Sequence, residues 1–222
     1  LNSSNDNPLI DPINLRVLHG GHFYGGHIAQ AMDSLKIMIA NIADLLDRQL
    51  AQLVDHKMNH GLPRNLTGAT ADRLPLNHGF KAVQIGVSAW TAEALKQTLS
   101  ASIFSRSTEC HNQDKVSMGT IAARDAERVI VLTEQVVAAL CCASVQAIHL
   151  KGLKQQLSPV LRAFMDWTLH SFALVVEDRP LQTELQQIMD RFANFELSNT
   201  DWMLQQVIAQ TAKCPIIHHF FG

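Results

Sequence analysis

The chain has 222 residues, 47% of them hydrophobic and 17% charged, which is enough apolar material for a substantial buried core. Its formal net charge of -2 excludes the electrostatic footprint of a nucleic-acid-binding protein and a polybasic membrane-binding patch. Polar or charged side chains interrupt every long apolar pattern, so we expect no membrane-spanning segment.

The cysteines and the first residue indicate the setting of the chain. None of the four cysteines, Cys110, Cys141, Cys142 and Cys214, forms a C-x-x-C pair. This usage favours reduced thiols, and we therefore expect a cytoplasmic protein. Because the sequence starts with Leu1 rather than Met, we also expect it to begin inside a longer protein.

Long helices dominate the predicted secondary structure. Residues 1–25 carry Asn, Asp, Pro and Gly turn signals without periodicity. Over residues 26–54 the apolar side chains recur at steps of three and four, which predicts one long amphipathic helix. They are Ile28, Met32, Leu35, Ile39, Ile42, Leu46, Leu50 and Leu53. Helical spacing resumes at 80–99 and at 116–150, on either side of an irregular stretch at 103–115.

The pattern after residue 150 is looser, and it predicts shorter helices at about 157–176, 180–195 and 199–212. No strand is predicted, because period-2 alternation is confined to the short VIVL run inside a helical pattern. The predicted fold is therefore all-α, with three long helices that run antiparallel in a bundle. A boundary between the long and the short helices is expected near residues 151–157.

The segment HGGHFYGGH is the first candidate for a functional site. Its glycines permit close approach of a ligand, and it leads into a helix N-terminus, which favours an anion. The alternative is a tight connection between two elements. A zinc site made of His19, His22 and His27 is a remote third interpretation, because the spacing is not a standard ligand pattern.

The segment STECHNQDKVSMG precedes the third long helix and holds acid, base and amide groups. Glu109 and Gln113 are four residues apart, so both side chains point the same way if the backbone there is helical or turn-like. A carboxylate beside a primary amide suits an ammonium group. The alternative is a helix cap, for which Asp114 and Ser117 are the candidates.

The segment GFKAVQI carries a third candidate pair. Lys81 and Ile85 are four residues apart and share one face of the second long helix. Lys81 lies in the first turn of an otherwise apolar helix, where a solvated lysine is the alternative interpretation.

Five segments in this order resemble the aromatic amino acid ammonia-lyase family: NSSNDNPLID, LHGGHFYG, GLPRNL, LNHGFKAVQI and ECHNQDKVSMGTIAAR. That family comprises histidine, phenylalanine and tyrosine ammonia-lyases and the related aminomutases. The resemblance is dense up to about Leu150 and afterwards confined to EDRPL. It implies that residues 1–150 are the C-terminal part of the lyase core, with long helices in a central bundle. Residues 151–222 would then form the shorter C-terminal helices.

The resemblance also implies a cofactor that this sequence does not encode. The family forms its electrophile, 4-methylidene-imidazol-5-one (MIO), from an internal Ala-Ser-Gly, and that tripeptide does not occur here. The catalytic tyrosine of the family has no match either, since the only tyrosine, Tyr24, lies in a different motif. We therefore expect half an active site, inactive alone, with the MIO supplied by the remainder of the same subunit.

Site residues follow from the resemblance motif by motif. Phe23 matches the aromatic residue of the H-G-G-N-F motif, which lies beside the electrophile, and His22 stands where that motif has Asn. Lys81 and Ile85 match positions that line the aryl end of the substrate pocket in phenylalanine-type members.

Glu109 and Gln113 match the acid and the amide of the E-x-H-N-Q pattern. The resemblance therefore implies that both lie near the substrate amine. In a dry pocket, Glu109 would exchange a proton with the amine. Histidine lyases have Glu at the position of Gln113, so the resemblance is closest to phenylalanine-type members.

The implied function is non-oxidative deamination of an aromatic L-amino acid, first of all phenylalanine, to an aryl acrylate and ammonia. The family is typically homotetrameric, and each active site draws on several subunits. Alternatives are an aromatic amino acid 2,3-aminomutase and a histidine or tyrosine ammonia-lyase. A helical assembly module that lost the chemistry is the alternative outside the enzymes. No nucleic-acid or membrane partner is expected.

Overall fold

The computed structural model describes residues 7–20 and 23–193, and α-helices dominate this part of the chain. The helices are α1 (Gly26–Val54), α2 (Lys81–Lys96), α3 (Gly119–Leu150), α4 (Pro159–Leu169) and α5 (Gln182–Ala193). Short 3-10 helices lie at Arg64–Leu66, Leu74–Leu76, Ala101–Phe104 and Lys154–Gln156. The predicted all-α fold is confirmed.

The three long helices lie where the apolar periodicity predicts them, and α3 begins at Gly119, three residues after the predicted start. The helix predicted at 157–176 ends earlier, at Leu169. Beyond it, the backbone N–H of Val175 donates to the buried Gln146 side chain, which is incompatible with a continued helix. The helix predicted at 199–212 lies outside the described residues.

The prediction that the chain has no strand is wrong near its N-terminus. Strands β1 (Leu9–Asp11) and β2 (Arg16–Leu18) form an antiparallel hairpin. With three residues each, they are too short to produce a detectable alternation. The Asp11 carboxylate closes the turn by accepting hydrogen bonds from the backbone of Ile13 and Asn14 at 3.1 and 3.2 Å. Hydrogen bonds from Asn14 also lower the pKa of Asp11.

In helix α3 a single charged side chain interrupts a long apolar pattern. Between Val129 and Leu150, Glu134 is the only Asp, Glu, Lys or Arg residue. By length and composition, α3 is therefore apolar enough to cross a membrane, with a mean hydropathy of 1.8 over 18 residues. Within the structure 61% of that stretch is buried, as is typical of a core helix.

The chain divides into two compact units. The first comprises Leu1–Asp44 and Thr91–Thr133, and the second comprises Leu45–Trp90 and Glu134–Gly222. Small side chains fill much of the interior of the first unit: Ala29, Ala40, Ala43, Ala94, Ala101, Ala122 and Ala126 are all buried. Alanines bury little apolar area each, so this interior depends more on its polar contacts. The predicted division into 1–150 and 151–222 stays a prediction.

Lys36 is a buried cation in the first unit. Its side chain is 0% exposed, and its Nζ lies 3.0 Å from the Asp33 carboxylate and 3.3 Å from that of Asp125. The same Nζ donates a hydrogen bond of 2.7 Å to the carbonyl oxygen of Leu99. Each N–H of the ammonium thus has an acceptor, which a buried charge requires.

Asp33 holds the start of the 3-10 helix Ala101–Phe104 in the same unit. Its carboxylate accepts from the backbone N–H of Ala101 at 3.0 Å, and from the N–H and hydroxyl of Ser102 at 3.2 and 2.8 Å. Burial raises the pKa of Asp33, but these hydrogen bonds and the one from Lys36 outweigh it and leave the pKa below its usual 3.8. The pair of Asp33 and Lys36 therefore anchors the chain that follows α2.

The second unit contains an apolar core in which Phe80 and Phe172 are fully buried, with ring centroids 6.2 Å apart. Gln146 is the main polar group within it. Its amide Nε2 donates to the carbonyl oxygens of Leu66 and Val175, and its Oε1 accepts from the N–H of Val175. One side chain thereby satisfies three buried backbone groups.

The cysteines that the structure describes are all free thiols. Cys110 is exposed, whereas Cys141 and Cys142 are buried in α3. Burial raises the pKa of the Cys141 thiol to about 12 and raises that of Cys142 as well. Both thiols are therefore protonated and unreactive at neutral pH. Cys214 lies outside the described residues.

Candidate active site

One cavity of the first unit lies between the start of α1 and the loop that precedes α3. It has a volume of about 530 Å³, and Phe23 and Tyr24 line it together with Gln113 and Lys115. Phe23 is 58% exposed and Tyr24 44% exposed, so both aromatic rings are open to the cavity. The structure thus brings together Phe23 and Gln113, which come from two separate sequence motifs.

Lys115 and Ser117 shape the loop side of this cavity. The Lys115 ammonium lies 5.6 Å from the centre of the Tyr24 ring, within the range of a cation–π contact. The Ser117 hydroxyl accepts from the N–H of Gly119 at 3.2 Å, where α3 begins. Ser117 thus contacts the first residue of α3, whereas the cap interpretation is wrong for Asp114, because the helix begins five residues after Asp114.

The loop itself is a closed turn. Thr108 and Gln113 exchange backbone hydrogen bonds of 2.9 and 3.3 Å. Between them Glu109, Cys110 and His111 have φ values of 55°, 52° and 69°, three successive residues in the left-handed region. Residues four apart in such a turn do not share a face, so Gln113 lines the cavity and Glu109 does not.

Glu109 is exposed and accepts a hydrogen bond of 3.2 Å from the side-chain amide of Asn112. His111 Nδ1 lies 2.7 Å from the hydroxyl of Ser107. Asn112 and His111 therefore support the turn rather than line the cavity. The assignment of Glu109 and Gln113 to the amine end of a substrate stays a prediction.

Lys81 and Ile85 lie in the second unit, where both are exposed on the first turns of α2. They line a cavity of about 460 Å³, and Asp178 and Arg179 line it as well. Sequence reasoning gave these two residues no role. The signal was present, because both belong to the EDRPL segment that resembles the family after Leu150.

Gly79 sits at the entrance to α2, and we expect its replacement by alanine to be costly. Its φ is +54°, and an added Cβ would lie 2.5 Å from the carbonyl oxygen of Asn65 and 3.0 Å from the N–H nitrogen of Thr67. The left-handed conformation costs an alanine about 1–2 kcal/mol. The clash of the added Cβ with the backbone costs about 1–3 kcal/mol more. Urea unfolding measures the total loss of unfolding free energy.

Gly152→Ala is the matched control, since Gly152 has a φ of +66° and nothing within 4 Å of the added Cβ. It should lose only the conformational part, about 1–2 kcal/mol. Equal losses in the two variants would contradict the close approach at Gly79.

The histidine motif yields no metal centre in the described part of the chain. Among residues 7–20 and 23–193, no group of three or more His, Cys, Asp or Glu side chains is arranged to hold a metal ion. His22 lies outside the described residues, so the zinc interpretation of His19, His22 and His27 rests on the sequence alone.

The described part of the chain is an all-α scaffold with polar and aromatic side chains on the loops at the ends of its long helices. The family profile for "Aromatic amino acid lyase" matches residues 1–168. The chain belongs to the aromatic amino acid lyase family.

Three similar proteins illustrate the range of the family. The tyrosine ammonia-lyase of Cereibacter sphaeroides is 38% identical, over 83% of this chain and 35% of its own length. Histidine ammonia-lyase 1 of Fusobacterium nucleatum is 30% identical, over 86% and 36%. The crystal structure of tyrosine aminomutase from Streptomyces globisporus has a TM-score of 0.78 and 31% identity, over 85% of this chain and 35% of that one.

These similarities confirm the family that the sequence motifs resemble, and they do not single out its phenylalanine-type members. The chain spans about a third of the length of these relatives.

Proposed function

We propose that the chain is the C-terminal part of an enzyme that non-oxidatively deaminates an aromatic L-amino acid to an aryl acrylate and ammonia. The observation that carries this proposal is the cavity shared by Phe23 and Gln113. An aromatic wall and a primary amide suit a substrate with an apolar ring and a polar amino-acid head.

The proposed residue roles are those that the family resemblance implies. Gln113 lines the cavity and binds the substrate amine by hydrogen bonds, and Glu109, which lies outside the lining of that cavity, contributes its negative charge. Lys81 and Ile85 line the aryl end, where Ile85 is 62% exposed and free to contact a ring. Phe23 would lie beside the electrophile.

The proposed cofactor, MIO, supplies an electrophile that makes removal of a weakly acidic β-proton feasible. It forms from Ala-Ser-Gly, which this sequence does not contain, so another part of the polypeptide provides it. The residues present fit this arrangement, because Phe23 is 58% exposed and offers an apolar side chain to the cavity that it lines. Phe23 would hold the position of the group and exclude water from it.

The proposed assembly is a cytoplasmic homotetramer. Four apolar side chains of α1 in the first unit are between 43% and 61% exposed: Ile28, Ile37, Met38 and Ile42. Exposed apolar residues in this number on one helix suit burial against the remainder of the subunit and against neighbouring subunits.

For the substrate we propose an arylalanine, with phenylalanine first, because Gln113 replaces the Glu that histidine lyases have at this position. A 2,3-aminomutase is the second candidate, and its support is the similarity to the tyrosine aminomutase structure. The two reactions differ in product, since a mutase returns the amine to the β-carbon.

The test uses the protein encoded by the complete reading frame that contains this sequence. It is incubated separately with L-phenylalanine, L-tyrosine and L-histidine, and the acrylate is measured by ultraviolet absorption together with ammonia. We expect equal amounts of acrylate and ammonia from one of them. A β-amino acid as the main product would establish the mutase, and no turnover together with no Ala-Ser-Gly would leave the helical assembly module.

The 222-residue chain by itself is expected to release no acrylate, because it holds neither the tripeptide nor the catalytic tyrosine motif. Acrylate release above the no-enzyme control would refute the proposal that the chain forms half of an active site.

A further inference from the structure

In the second unit, Glu177 and Asp178 hold the residues that lead into α2 by hydrogen bonds. Glu177 accepts two hydrogen bonds from the Arg73 guanidinium, both of 2.9 Å, and one of 3.0 Å from the side-chain amide of Asn77. These contacts lower the pKa of Glu177 from its usual 4.5 to about 2, with the hydrogen bond from Arg73 as the largest cause. Glu177 is therefore an anion across the physiological range.

Asp178 forms the second set of these hydrogen bonds. Its carboxylate oxygens accept from the backbone N–H groups of His78 and Gly79, at 2.7 and 2.8 Å. In return, the N–H of Asp178 donates a 2.6 Å hydrogen bond to the side-chain oxygen of Asn77. The His78 imidazole lies 3.7 Å from the same carboxylate. His78 and Gly79 form the turn before α2, so a carboxylate supplied from a distant segment holds the backbone that leads into the helix.

The hydrogen bonds of Glu177 and Asp178 fix the start of α2 as well as the turn before it. Directly after Gly79, Phe80 is fully buried, and its N–H donates to the carbonyl oxygen of Asn65 at 2.8 Å. Lys81 follows as the first residue of α2, so neither its backbone nor that of Ile85 can shift independently of this junction. Asp178 thus sets the places of Lys81 and Ile85 while lining the same cavity.

We infer that Asp178 is a positioning residue for the aryl end of the substrate pocket, and that through Lys81 and Ile85 it contributes to the choice of aryl group. The inference rests on the proposed function. Its physical basis is geometric, because a pocket that discriminates between rings must hold its wall within a fraction of an ångström. Arg179 completes this wall, where its guanidinium is held by the carbonyl oxygen of Ala173 and the carboxylate of Glu184.

The test is Asp178→Asn in the complete enzyme. An asparagine oxygen can accept from one of the two N–H groups, but its NH₂ then faces the other, so the start of α2 must shift. We expect the ratio of kcat/KM between phenylalanine, tyrosine and histidine to change about tenfold, mainly through KM. Asp178→Glu keeps two acceptor oxygens and should restore most of the ratio.

Asp166→Asn is the matched control, because Asp166 is an exposed carboxylate on α4 that pairs with Lys154 at 2.8 Å. It should leave the ratio unchanged. Should Asp178→Asn fail to fold, Glu177→Gln weakens the hydrogen bonds to the same turn at an exposed residue. It should shift the ratio of kcat/KM values about threefold in the same direction.

The outcomes separate the two proposals. An active Asp178→Asn or Glu177→Gln enzyme with unchanged KM values and an unchanged ratio overturns the positioning role and leaves the proposed function intact. A wild-type enzyme that converts none of the three amino acids overturns the proposed function, and the positioning role with it.

Discussion

In the complete enzyme, Glu109→Gln is expected to lower kcat for the aromatic amino acid about 100-fold or more. The replacement keeps the shape of the side chain and its acceptor for the amide of Asn112, which donates to Glu109 at 3.2 Å. It removes the charge that attracts an ammonium group and the capacity to exchange a proton with it. The rate of acrylate formation under saturating substrate measures the effect.

Asp114→Asn is the control for this variant, since Asp114 is an exposed carboxylate in the same loop. It should retain turnover within about twofold, as for other surface substitutions. Size-exclusion chromatography should give the same assembly for both variants. Unchanged turnover in Glu109→Gln would remove Glu109 from the mechanism and leave the amine to Gln113 and to residues outside this chain.

Lys36→Met is expected to cost about 3–5 kcal/mol of unfolding free energy, because it leaves the buried carboxylate of Asp33 and the partly buried one of Asp125 without their cation. Methionine fills a similar volume, so the loss reports the charge rather than a cavity. The variant removes the partner of Asp33, which is 2% exposed, and the hydrogen bond to the carbonyl oxygen of Leu99. Urea unfolding of the 222-residue chain, followed by circular dichroism at neutral pH, measures the difference.

The exposed Lys96, at the end of α2 in the same unit, provides the matched control. Lys96→Met should change the unfolding free energy by less than about 0.5 kcal/mol. A loss of unfolding free energy in Lys36→Met no larger than this would mean that the buried charges contribute little to stability. The anchoring of the Ala101–Phe104 segment would then rest on Asp33 alone.

The sequence predicts the long helices because each repeats one local rule over many turns. The apolar steps from Ile28 to Leu53 describe α1 without reference to any other segment. Lys36 interrupts that pattern without disturbing the helix, and its burial depends on Asp125 and Leu99, which lie 89 and 63 residues away. No local pattern indicates such a partner.

The candidate site is likewise predictable from the sequence only in part. Motif resemblance indicates Phe23 and Gln113 as members of one site, and the structure has them line one cavity. The different environments of Glu109 and Gln113 follow from three left-handed residues, which a helical spacing argument cannot anticipate. Asp178 was missed for another reason, since its function depends on backbone N–H groups 99 and 100 residues earlier.

That separation has a consequence for synthesis on the ribosome. Translation adds Asp178 100 residues after His78, so a nascent chain that ends before Glu177 presents α2 without the carboxylate that holds the turn before it. The N–H groups of His78 and Gly79 must then bind water until the later segment emerges. Helix α2 can form early, but its first turn acquires its final geometry only when the EDRPL segment has left the exit tunnel.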